Sequence, residues 1–186
     1  MSYPLTSSAR NGLIVLAALF AGHSAFAVTI SKTEYMAGKT RIAADYKADK
    51  AGCASSSGNA LDICQEVAKA KDKVALAELQ FSYTGARKDQ DKIVSVKADA
   101  TYAVAKERCD DKADNDKDVC VKQAKAAHTK TLADLKLEQK VSTAHTDASA
   151  DKREADYKVA NEKCQALAGD AKANCVSVAK AQAGKT

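Results

Sequence analysis

The stretch Cys53-Ala-Ser-Ser-Ser-Gly58-Asn59-Ala-Leu-Asp-Ile-Cys64 holds ten residues between two cysteines, and those ten are rich in turn formers. On one uninterrupted helix the eleven-position step would separate the sulfurs by about 16 Å, far beyond disulfide reach. A turn between them folds the second segment back and sets the two cysteines opposite each other. The same CX10C spacing recurs at Cys109/Cys120 and Cys164/Cys175, so equivalent cysteines lie 56 and then 55 residues apart. Asp110-Asp-Lys-Ala-Asp-Asn115-Asp-Lys-Asp118 fills the second gap and Ala168-Gly169-Asp170 falls in the third. A tyrosine precedes each first cysteine by seven residues (Tyr46, Tyr102, Tyr157), and an Ala-Lys pair follows each second one. These matched landmarks define a threefold internal repeat.

Outside the gaps the chain reads as helix. It is rich in Ala, Lys, Asp and Glu, which are strong helix formers over long windows. Its single proline is Pro4. Pairing within each CX10C is the most economical of the fifteen connectivities open to six cysteines. Seven residues is two helical turns, which puts each tyrosine on the face of its cysteine. The alanine one turn past the second cysteine (Ala68, Ala124, Ala179) stands on the returning helix, so a large ring is expected against a small side chain. The expected fold is all-α: three tandem disulfide-closed helical hairpins, about 32–84, 88–146 and 147–186, forming an elongated antiparallel helical bundle. Gly85 and the stretch Ser142–Ser149 are weak points, each either a kink in a long helix or a second, looser turn. Val67, Val74 and Phe81 form a narrow apolar stripe at heptad spacing. Much of the remaining apolar surface is alanine, so covalent staples suit so light a core.

Residues 1–27 read as a cleavable signal peptide. Arg10 precedes the apolar run Gly12–Ala21, and Ala25-Phe26-Ala27 offers the small-x-small cleavage site before Val28. The run is shorter than the roughly 20 residues a membrane span needs, so no span is expected after cleavage. Six cysteines, an even number, in an exported chain favour disulfides. Zinc would call for closer ligand spacing such as CxxC, which is absent.

No catalytic constellation emerges, so the chain reads as a non-enzyme with no cofactor or metal. His128 and His145 could in principle partner a cysteine nucleophile, but the cysteines are better explained as disulfides. The acidic turn at 110–118 lacks the Gly and closing Glu of an EF-hand, and Lys112 and Lys117 oppose a cation there. Lysine and arginine total 29 against 24 acids, closely interleaved, which leaves no footprint for nucleic acid.

The segments Ala-Asp-Tyr46-Lys, Tyr102-Ala-Val-Ala-Lys-Glu-Arg-Cys109 and Ala155-Asp-Tyr157-Lys-Val-Ala-Asn-Glu-Lys-Cys164 carry a resemblance to small exported Gram-negative proteins labelled TolA-like cell envelope biogenesis proteins. The resemblance covers nearly all of the mature chain. It implies an exported, helical, envelope-associated protein and no biochemical activity. The expected function is therefore a periplasmic structural or interaction module whose partner is a protein or envelope component. The alternative is a small periplasmic chaperone or stress-binding protein, a helical cradle with basic rims and an apolar lining.

Overall fold

The structure, a computed structural model, describes residues 29–185. The expected signal peptide and its cleavage site lie outside these residues. Five helices follow one another: α1 (Lys32–Gly52), α2 (Gly58–Thr84), α3 (Arg87–Cys109), α4 (Asp114–Cys164) and α5 (Gly169–Gln182). Among the described residues there is no strand, and no helix is long and apolar enough to cross a membrane. Each helix packs antiparallel on its neighbours in sequence and on no other helix. The result is an elongated all-α bundle laced by three disulfides, Cys53–Cys64, Cys109–Cys120 and Cys164–Cys175.

The turn inside each cysteine pair is the same structure three times over. An extended N-cap residue (Ser57, Ala113, Ala168) is followed by one in the left-handed region (Gly58 at φ 55°, Asp114 at φ 47°, Gly169 at φ 55°), which opens the returning helix. Offsets of 56 and 55 residues superpose these positions in sequence as they do the cysteines. Two of the three are glycine, which enters this region without a Cβ penalty. Asp114 is the exception, and aspartate is among the side chains that tolerate it best.

Between the first two repeats the chain reverses at Gly85, whose φ of 61° ends α2 in a left-handed cap, with its N–H donating to the Phe81 carbonyl. The 56-residue offset places Val141 at the corresponding point of the second repeat. A β-branched residue does not adopt positive φ without strain, so no cap forms. Of the two weak points, Gly85 is a turn and Ser142–Ser149 is not. Thr143 and Thr146 instead donate back to the carbonyls of Gln139 and Ser142 within the helix. The helix α4 therefore runs unbroken for 51 residues, about 76 Å, and crosses the 146/147 boundary between the second and third repeats.

This continuity exposes the middle of α4. Its first part lies on α3, tied by Arg87 to Glu138 at 2.7 Å and by Gln139 to Asp91 at 3.0 Å. Its last part lies on α5, and Glu154 pairs with Lys185, just past the end of α5, at 2.5 Å. From Lys140 to Lys152 every residue is exposed except half-buried Ser142 and Ser149.

The core is thin. Its buried apolar residues are the three first cysteines, Ala68, Ala98, Ala100, Leu135 and Ala179. Small side chains let the helices approach closely. A Cβ on buried Gly38 of α1 would lie 2.7 Å from Leu79 Cδ1 of α2. The free end of that hairpin is closed by Tyr35, whose ring stacks on Tyr83 at 4.6 Å and whose hydroxyl bonds Gln80. Ser31 and Glu34 form a capping box that starts α1.

Candidate functional site

The six cysteines and the repeat tyrosines are the residues the sequence singles out, and the structure groups them at the hairpin ends. Cys53, Cys109 and Cys164 are almost fully buried, with Cα–Cα distances across the bridges of 5.6–5.7 Å. The first two bridges share one end of the molecule. Asn59, at the start of α2, reaches across to donate to the Glu107 carbonyl and the Asp111 carboxylate. The third bridge lies 44 residues along α4 from Cys120, about 66 Å away.

The three tyrosines are half-buried and each lines a groove between the helices of its hairpin. Tyr102 shares its groove with Ala124 and Ala127, and Tyr157 shares one with Ala179 and Ala183. Tyr46 shares its groove with Ala75 and Asp72, and Ala68 of α2 is buried. Lysines cover two of the rings: Lys50 over Tyr46 at 5.6 Å and Lys185 over Tyr157 at 4.4 Å.

His128 projects from α4 towards α3. Its Nε2 lies 2.7 Å from Asp99 Oδ1 and its ring sits 5.2 Å from that of Tyr102. A His–Asp pair orients an imidazole for general-base work when a nucleophile stands within hydrogen-bond reach. The hydroxyls in this groove are those of Thr101, Thr131 and Tyr102, and Thr131 donates to the Ala127 carbonyl. The pair ties α3 to α4. The sequence reading missed Asp99, although the register fixed by Cys109–Cys120 brings it opposite His128. His145 is exposed in the bare stretch of α4.

The acidic turn is spent on local contacts. Asp110 pairs with Lys117 at 2.9 Å, Asp111 accepts from Asn59, and Asp114 forms the left-handed bend. Among the described residues no cluster of three or more His, Cys, Asp or Glu side chains could hold a metal ion. Glu154 pairs with Lys158 at 4.0 Å but more closely with Lys185. The hydrogen bond from Lys185 holds the Glu154 carboxyl below its ordinary range.

Two open grooves flank the α2–α3 seam. Val74, Ala100 and Val104 line one, with Lys71, Lys97 and Arg108 around it. Tyr35, Leu76, Ala77 and Val96 line the other, across α1, α2 and α3, with Lys39, Lys73, Lys92, Gln80 and Asp99 around it. Leu76 keeps 36% of its surface exposed there. No protein family model matches the chain, nor does any curated protein or solved structure.

Proposed function

We propose that this protein is a non-enzymatic, exported helical module of the bacterial cell envelope, with a structural or interaction role in the periplasm. The observation that carries the reading is the architecture: a long, lightly cored rod of neighbour-packed helices whose turns are held by three disulfides. Disulfides persist in oxidising compartments, and a rod that gives most of its residues to surface suits spacing or contact. Fractionation with thiol labelling tests this. The native protein should appear in the periplasmic extract, lack residues 1–27, and resist maleimide labelling until reduced. A cytoplasmic protein with free thiols would overturn the reading.

The chaperone alternative is favoured by the lysine-rimmed, apolar groove around Leu76. A cradle of this kind should suppress thermal aggregation of a client protein, and Leu76→Asp should abolish the effect. Failure of the unaltered protein to suppress aggregation would leave the structural reading alone.

A further inference from the structure

The exposed middle of α4 is explained by what its repeat counterparts do. In the first two repeats α2 turns at Gly85 and packs along α3. Ala70 and Val74 share that seam with Ala100 and Val104, and Glu78 pairs with Lys97 at 2.7 Å. The corresponding seam between the second and third repeats would join the first half of α4 to its second half. A continuous helix cannot fold back on itself, and Val141 in the place of Gly85 keeps it continuous. Among the described residues no segment of this chain fills that seam.

We infer that two copies of this chain associate through α4, antiparallel about a two-fold axis near Val141, and rebuild the α2–α3 seam in trans. The residues on this face keep the complementarity of the seam they would copy. Offsets of 56 and 55 residues carry the pair Glu78–Lys97 onto Asp134 and Lys152, with both charges preserved. The same offsets carry Ala70 and Ala100 onto Ala126 and Ala155, still small. Val74 and Val96, two apolar positions each eleven residues from Gly85, become Lys130 and Asp151, which carry opposite charges. Asn59, which bonds the Glu107 carbonyl across the seam, becomes Asn115, and Glu107 becomes Glu162. Leu137, the counterpart of half-buried Phe81, stands 62% exposed on this face, and Val141 on the axis stands 60% exposed. Such a contact is isologous, with each half of one α4 meeting the opposite half of the other.

Sedimentation equilibrium of the oxidised protein should show a dimer at micromolar concentration. Lys130→Asp with Asp134→Lys should give a monomer of unchanged helical circular dichroism. Adding Asp151→Lys and Lys152→Asp to that variant should restore the dimer. A monomer persisting at about 100 µM, weaker than expected of an interface of ordinary size, would overturn the inference. So would a dimer indifferent to the first charge reversal, or one that the compensating reversal fails to restore.

Discussion

Removing the third bridge by Cys164→Ala with Cys175→Ala should release α5 and leave the rest of the molecule in place. The bridge spans a sequence separation of 11, and closing so short a loop stabilises the hairpin by about 3 kcal/mol in the chain-entropy model. What else holds α5 is small. It has 14 residues and one buried side chain, Ala179, whose methyl contributes about 0.8 kcal/mol. The contacts of Lys185 with Glu154 and with the Tyr157 ring are exposed and screened by solvent, so they add little. A helix this short is marginal by itself in water. Loss of about 3 kcal/mol is a factor of roughly 150 in the docking equilibrium, enough to leave α5 largely undocked. Hydrogen exchange read by mass spectrometry checks this peptide by peptide. Amides of Gly169–Gln182 should exchange at close to unfolded rates, while those of α2 and α3 keep their protection. Undiminished protection of α5 would refute the reasoning, because helix contacts alone would then suffice. The matching change at Cys53 and Cys64 is the internal comparison. There the Tyr35–Tyr83 stack and the Gly38–Leu79 contact should keep α1 docked.

Asp114→Gly relieves a left-handed residue that its two repeat counterparts fill with glycine. It should stabilise by about 1 kcal/mol, raising the melting temperature by roughly 2–4 °C in calorimetry. Gly85→Ala puts a Cβ at φ 61° and 3.2 Å from Thr29 Cγ2. It should lower the melting temperature by a similar amount or more, and an unchanged value would mean that the α2–α3 turn adjusts freely. The Ser31 backbone N–H, donating to the Glu34 carboxylate, holds that carboxyl below its ordinary range. A depressed carboxyl contributes stability that is present above its unfolded pKa and lost as pH falls through its folded one. The first turn of α1 should therefore fray at the acid end of the carboxylate range. In Glu34→Gln the protection factors of its amides, measured by NMR and corrected for intrinsic exchange, should no longer fall across the acid end of the carboxylate range.

The hairpins were legible because a disulfide's reach and a helix's rise are both fixed lengths, so CX10C with a turn inside admits few other solutions. The failure of Ser142–Ser149 to turn was harder to read. Its Ser, Thr and Asp residues resemble a loop by composition, but the fold depends on whether any residue can enter the left-handed region. Gly85 can and Val141 does not, a distinction visible only once the two positions are aligned through the repeat. The Tyr–Ala packing was half legible. Helical periodicity puts Tyr46 on the face of its cysteine but does not say which residue of the opposite helix stands at its level. The groove beside the ring includes Ala124 in the second hairpin, Ala179 in the third and Ala75 in the first, where Ala68 is buried. His128 with Asp99, and Tyr35 with Tyr83, are long-range pairs that only the assembled register brings together.

Each bridge joins a cysteine to the very next one along the chain. A polypeptide emerging amino-terminus first presents Cys53 and Cys64 together well before Cys109 appears, and each later pair arrives with its own partner. Oxidation in order of appearance therefore yields the native pattern without reshuffling. If the chain is oxidised as it emerges, a thiol oxidase alone should yield the native pairing, and adding a disulfide isomerase should not change it.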